Sequence, residues 1–281
     1  MPSLIFKKKR VRQPQYPVGI DQSNPITRNI AFAWNAAVPT VVNRERLATA
    51  NNTTNAVSPN GKAVDCAVSQ VNLEFANYQP IVTSDGSGTG DFTVMVFANP
   101  AAAGGGAIEH VLAQKNDAEG VPYAQFFLGA HAGALAAYVS GSFNFFTYNA
   151  DQTEAVAAGV CDGNYHLWTG VRQATNHTLY KDGLSVATAA GTVRNISQAN
   201  RYLAVGSRGN GTTDSYRDQA VYAFGWNRAL TQAEIKIILD NPWQIFKPAT
   251  RRIWMQDAAA SGAFKGYWAI KPRRTIGSGV M

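Results

Sequence analysis

Apolar side chains along this chain fall in short runs, and in most runs they alternate with small or polar ones. His166–Arg172 (HLWTGVR) and His177–Lys181 (HTLYK) show this most clearly. A period of two places one side of a strand in a core and the other in water. Asp182-Gly183 separates HTLYK from LSVAT. A type I′ turn needs positive φ at both central residues, so Asp-Gly at this place predicts a tight hairpin. The same pattern predicts strands at Ile30–Trp34, Val71–Phe75, Asp91–Ala98, Ile108–Lys115, Tyr123–Ala130, Ala134–Ser140, Arg201–Ser207 and Gln219–Trp226. Residues 49–61 (TANNTTNAVSPNG) read as a polar loop, and Asp151 and Glu154 fall in a polar connection. Many short β-runs spaced by Gly, Asn and Asp predict an all-β, two-sheet antiparallel sandwich.

One helix is predicted. Thr231-Gln232-Ala233-Glu234 forms a capping box, in which the Thr hydroxyl and the Glu carboxylate each satisfy a backbone N–H at the helix start. Ile235, Ile238 and Leu239 follow at helical spacing, and Asn241-Pro242 ends the helix. Residues 1–22, broken by Pro14, Pro17 and Gly19, read as an arm. The expected organisation is therefore a basic N-terminal arm (1–22), a sandwich (23–246) and a basic, aromatic-rich C-terminal arm (247–281).

Composition agrees with a real core in one large β-domain: 281 residues, 46% hydrophobic, 11% aromatic and 25 Gly. No apolar run is long enough to span a bilayer as a helix. The opening MPSLIFKKKR places its basic cluster after a very short apolar stretch, the reverse of a secretory signal, so synthesis in a cytoplasm is expected. Cys66 and Cys161 are then read as small buried apolar residues. The net charge of +7 is segregated. Residues 1–12 hold five basic groups and no acid, and residues 247–281 hold seven against Asp257. The ends thus carry eleven net positive charges, and residues 13–246, with 13 basic and 17 acidic groups, carry four net negative ones.

Gly163–Val186 (GNYHLWTGVRQATNHTLYKDGLSV) resembles the laminin-G-like, concanavalin-A-like jelly roll. The carrying motif is Tyr-His, an apolar strand, then Leu-Tyr-x-Asp-Gly and a following Val. Asn227–Ile235 (NRALTQAEI) resembles the last strand and helix of the same family, and the likeness runs from about Ile30 to Leu239. It implies a fold that carries lectins, glucanases, adhesion modules and virion proteins. Ser23–Asn35 (SNPITRNIAFAWN) and Asn241–Trp254 (NPWQIFKPATRRIW) are similar to the ends of laminin-G-like proteins of tailed bacteriophages. This resemblance implies a virion setting.

Glucanases of this family use a strand bearing Glu-x-Asp-x-x-Glu, whose same-face carboxylates act as nucleophile and acid/base. The sequence holds no such array. Glu74 stands alone in its run, and Asp117 and Glu119 lie in a Gly/Pro loop. His110, His131, His166 and His177 are scattered, and no catalytic residues or resident metal site are assigned. Asp85, Asp117, Asn210 and Asp214 are candidate loop donors for calcium, although Asp and Asn populate turns without a metal. No cofactor is expected. Tyr148, Tyr216 and Trp226 are candidate sugar platforms if they are exposed, although a Trp in a strand more commonly packs in a core.

The basic ends interleave charge with large rings, as interface anchors do. Lys7, Lys8, Lys9, Arg10, Arg12, Trp243, Phe246, Arg251, Arg252, Trp254, Tyr267, Trp268, Arg273 and Arg274 are the expected protein-interface residues. The reading is a non-enzymatic virion protein, a capsid decoration or minor capsid component and homo-oligomer. Its partners would be the major capsid protein or other virion subunits. The alternative is a carbohydrate-binding adhesin of a tail or fibre, with glycan as partner. Nucleic acid ranks below both, and no membrane partner is expected.

Overall fold

The structure is a computed structural model. It describes residues 13–14, 18–42, 47–49, 55–59, 61–66, 73–75, 81, 83–85, 88–101, 108–116, 124–131, 142–149, 151–193, 195–196, 201–206, 216 and 218–248. The chain divides into two units, Met1–Ala249 and Thr250–Met281, and every described residue belongs to the first.

The described strands are β1 (Val18–Ile20), β2 (Ile30–Asn35), β3 (Val38–Val42), β4 (Leu47–Thr49), β5 (Asn55–Ser58), β6 (Gly61–Asp65), β7 (Leu73–Phe75), β8 (Phe92–Ala98) and β9 (Ile108–Asn116). They continue with β10 (Ala124–His131), β11 (Ser142–Asn149), β12 (Asp151–Ala157), β13 (His166–Gln173), β14 (Asn176–Lys181), β15 (Leu184–Ala190), β16 (Arg201–Val205), β17 (Gln219–Trp226) and β18 (Phe246–Pro248). One α-helix, α1 (Gln232–Asp240), lies between β17 and β18. The larger sheet runs β15-β14-β13-β8-β17-β2-β3-β4, with the β5–β6 hairpin attached to β17. The smaller runs β12-β11-β10-β9-β16-β7. Pairing within both is antiparallel, as expected for a sandwich.

The centre of the larger sheet, at β8 and β17, is buried on both faces. Its inner face (Phe92, Val94, Val96, Trp168, Leu179) meets Leu112, Phe126, Leu128, Phe143 and Phe145 of the smaller sheet. Its outer face (Met95, Phe97, Leu167, Val171, Phe224, Trp226) is covered by Ile235 and Ile238 of α1 and by Trp243 and Ile245 beyond it. This explains why β8 is buried at all seven positions and reads as a continuous apolar run. Phe143 stacks on Trp168 across the two sheets, with ring centroids 4.0 Å apart and planes 16° from parallel. Cys66 and Cys161 are buried and form no disulfide.

The helix forms where the capping box places it. Thr231 Oγ1 accepts from the Glu234 N–H at 3.3 Å, and Glu234 Oε2 accepts from the Thr231 N–H at 2.8 Å. The hairpin turn is also as expected, with Asp182 at φ +51° and Gly183 at +72°.

Three expectations differ from the structure. Asp151 and Glu154 are not in a connection but in β12, an edge strand. Its buried residues are Thr153, Ala155 and Ala157, small side chains that give a weak apolar signal. Within the expected loop 49–61, Asn55–Ser58 form β5 and Gly61 begins β6, the two strands of a hairpin. Val57 there is 85% exposed, so a polar composition is compatible with strand. Residues 13–20 are tied to the body: buried Gln13 donates to the Lys62 carbonyl and accepts from its N–H, and β1 pairs with β18. That pairing also carries the body past residue 246. The expected strand Ala134–Ser140 lies outside the described residues, whereas β11, with Phe143 and Phe145 in the core, went unread.

Candidate functional site

Alternation sorts β13 and β14 into two faces. Trp168, Gly170 and Arg172 of β13, with His177 and Leu179 of β14, face the smaller sheet. Val171 and Gln173, with Asn176, Thr178 and Tyr180, face outward. There the sheet and the segment leading into α1 enclose a groove of about 390 Å³. Val171, Ala229 and Leu230 supply its apolar lining. Gln173, Asn176, Thr178, Thr188, Thr231 and Gln232 bring hydroxyls and amides, and Tyr180 brings an aromatic ring. Clefts of this size suit small ligands, whose usual range is roughly 300–1,000 Å³.

The wall opposite the strands is fixed by hydrogen bonds. Thr93 Oγ1 donates to the Arg228 carbonyl and accepts from the Leu230 N–H, both at 2.9 Å. Gln232 Nε2 donates to the Gly183 carbonyl at 2.8 Å, joining the helix to the hairpin turn. A Cβ on Gly183 would stand 2.7 Å from Lys236 Cγ, so the close approach of turn and helix favours glycine.

Two polar clusters position this platform. At the turn, His166 Nδ1 donates to Asp182 Oδ2 at 2.6 Å, and Nε2 faces Asp162 at 3.0 Å. Lys181 Nζ is 3.3 Å from Asp162 and 5.3 Å from the Trp168 ring centroid. Burial acts to raise the Asp162 carboxyl, but the Asn164 N–H, His166 and Lys181 together hold it below the usual carboxylate range.

The second cluster lies between the sheets. Arg172 is fully buried and donates through Nη2 to the carbonyls of Gly88 (2.8 Å) and Gly90 (2.6 Å). Its guanidinium carbon is 4.7 Å from the Phe92 ring centroid. Burial pulls Arg172 down to about 10 while Asp85 and Asp91 act to raise it, so it stays charged at neutral pH. His177 Nε2 is 2.8 Å from Thr147 Oγ1. Burial, and then the Arg172 charge, lowers His177 to about 4, so it is neutral. Both clusters hold strands and loops in place, and neither is part of the groove lining.

Of the expected interface residues, Trp243 and Phe246 are packed within the chain. Trp243 is buried, 5.3 Å edge-on to Tyr222, and half-buried Phe246 is 5.9 Å from Phe224. The reason is that the outer face of the larger sheet is apolar and needs covering. Lys7, Lys8, Lys9, Arg10, Arg12, Arg251, Arg252, Trp254, Tyr267, Trp268, Arg273 and Arg274 lie outside the described residues. Among the sugar platforms considered, Tyr216 and Trp226 are fully buried, and Trp226 Nε1 donates to the Ile26 carbonyl at 2.8 Å. The Tyr148 side chain is outside the description.

Asp85 instead closes its own loop, accepting from Thr83 Oγ1 at 2.5 Å and the Gly90 N–H at 3.0 Å. Asp117, Asn210 and Asp214 are not described. Among the described residues, no three His, Cys, Asp or Glu side chains gather as metal ligands do. Tyr180 is half-buried, packing against the outer core cluster while also lining the groove. The alternation in HTLYK already set it on the face opposite Leu179, and that was the signal for the groove.

The fold is that of lectin-like β-sandwich proteins. Residues 75–236 match the model of the concanavalin A-like lectin/glucanases superfamily, and the chain belongs to that family. Among solved structures, a mutant Trypanosoma rangeli sialidase displaying trans-sialidase activity is similar, with TM-score 0.54 and 14% identity. The match covers 76% of this chain and 34% of that one. Trypanosoma rangeli sialidase in complex with the inhibitor DANA gives TM-score 0.52 and 11% identity, covering 76% and 33%. The chain thus spans about a third of the length of these sialidases, and at this identity the likeness is one of fold. No curated protein sequence matches the chain.

Proposed function

We propose that this chain is a non-catalytic carbohydrate-recognition protein that binds glycan in the groove beside β14 and β15, as an adhesin of a phage tail or fibre would bind a host surface. The observation that carries this reading is the groove lining. Tyr180 offers a ring against which the C–H face of a sugar packs, and Thr178, Thr188 and Asn176 offer groups that pair with sugar hydroxyls. Among the described residues no carboxylate lines the groove, and a glycosidase needs a pair of them as acid and nucleophile or base. Membership of a superfamily named for lectins and glucanases supports the same reading. A glycan array probed with the full chain and with Tyr180→Ala tests it. Saturable binding by the parent that is lost in the variant is expected. Equal binding by both, or turnover of a polysaccharide, removes the reading.

A second reading rests on the segregated charge. A virion structural protein, docked on neighbouring subunits through its basic ends, accounts for eleven net positive charges at the termini of a mildly acidic body. Packing of Trp243 and, in part, of Phe246 against the chain's own sheet weakens it at two anchors. Particle reconstruction after deleting residues 1–20 or 249–281 tests this reading, since undiminished occupancy of both variants removes it.

A further inference from the structure

We infer that the groove takes an uncharged glycan and rejects acidic sugars such as sialic acids, an inference that rests on the carbohydrate reading above. Among the described residues, every side chain lining the groove is neutral. An acidic sugar buried against such a wall exchanges a hydrated carboxylate for neutral partners, which is unfavourable without a cation or several converging N–H donors.

The N-terminus of α1, which brings positive potential to the groove, is already occupied. Glu234 Oε2 accepts from the Thr231 N–H at 2.8 Å and from Thr231 Oγ1 at 3.0 Å. Its other oxygen, Oε1, is 2.8 Å from Arg228 Nη2. A fixed carboxylate at the helix start repels a second one brought by a ligand. Arg228, two residues before Leu230, is committed as well. Besides Glu234, its Nε donates to the Arg28 carbonyl at 2.9 Å and Nη2 to the Ile26 carbonyl at 3.3 Å.

The neutral groups match a neutral sugar. An amide such as that of Asn176 presents donor and acceptor side by side, as a pair of vicinal hydroxyls requires, and a hydroxyl such as that of Thr188 serves as either. The pairing is direct and carries no net charge, so affinity at the groove is nearly independent of salt. Any attraction of anionic polymers to the basic termini is independent of the groove and falls with salt, so salt separates the two contributions.

Matched arrays of neutral oligosaccharides and their sialylated or uronate forms, read at about 50 mM and about 500 mM salt, test the inference with the full chain. Tyr180→Ala and Thr188→Trp, the second filling the groove from an exposed strand position, define the groove-dependent component. The expected result is groove-dependent binding to neutral glycans that changes less than about twofold with salt. Groove-dependent binding confined to acidic glycans, or one that falls tenfold or more with salt, overturns the inference and leaves the carbohydrate reading standing. Groove-dependent binding to neither class overturns both.

Discussion

His166 Nδ1 donates to Asp182 Oδ2 at 2.6 Å, while the other oxygen of the same carboxylate accepts from the Leu167 N–H at 2.9 Å. Asp182 therefore serves twice. Its left-handed φ makes the β14–β15 turn, and its carboxylate ties that turn to the first residues of β13. The His and the Asp-Gly of the sequence motif are one structural device, a latch that sets the β13–β14–β15 platform on which the groove lies.

Cutting the latch separates its two parts. Asp182→Asn keeps a residue that tolerates positive φ but lacks the charge, and should cost about 1 kcal/mol. Asp182→Ala loses both and should cost about 2–3 kcal/mol. Urea unfolding of the two variants checks this, and equal losses contradict the dual role.

Gly170 should not tolerate a side chain. A Cβ there would stand 2.3 Å from Cδ2 of the Phe145 ring across the sandwich. Gly170→Ala should destabilise by about 1–3 kcal/mol through overpacking. Phe145→Leu makes room, so the double variant should be more stable than the sum of the single losses predicts. Thermal unfolding of all four proteins gives the coupling, and simple additivity would show that the two residues do not press on each other.

Arg172 holds the Gly88 and Gly90 carbonyls of the loop before β8. Arg172→Met preserves much of the bulk and removes the donors, at an expected cost of about 3 kcal/mol. Hydrogen exchange should quicken at Gly90 and at Ile196, whose N–H donates to the Gly88 carbonyl at 3.0 Å. Unchanged exchange at both amides counts against this role.

His177 makes stability depend on pH. Its ordinary value is 6.5, and in the fold burial and then the Arg172 charge push it down to about 4. The unfolded chain takes up a proton near pH 6.5 that the native chain refuses until about pH 4. This contribution is complete above the unfolded value and is lost as pH falls through the window below it. Between pH 7 and pH 5 the loss should be about 2 kcal/mol. His177→Gln, which retains a partner for Thr147, should flatten that part of the profile. A parallel profile in the variant would assign the dependence to other groups.

Much of the fold was legible because its signals are local. The capping box, the Asp-Gly turn and the alternation in HLWTGVR each depend on residues a few positions apart, and all three stand in the structure. Strand β12 was not legible, because its inward residues are Thr153, Ala155 and Ala157 and the apolar contrast is small. Trp243 was read as an anchor for another chain because, in sequence, nothing shows that Tyr222 and Phe224 need a cover. The period of two sets Leu179 on the inner face and Tyr180 on the outer one, but that the outer face at Tyr180 is only partly covered depends on where α1 packs.

The sequence by itself determined the β-rich class, the one helix, the hairpin turn and the family likeness, since short-range sterics and hydrogen bonding set these. Only the tertiary structure decided which strand faces meet a second layer. The outer face of the larger sheet is closed by α1 and by Trp243, residues that follow the strands they cover. Where that cover stops, beside β14 and β15, the neutral groove opens. The physical reason is that burial belongs to pairs of surfaces brought together from distant parts of the chain, and a local pattern specifies only one surface of each pair.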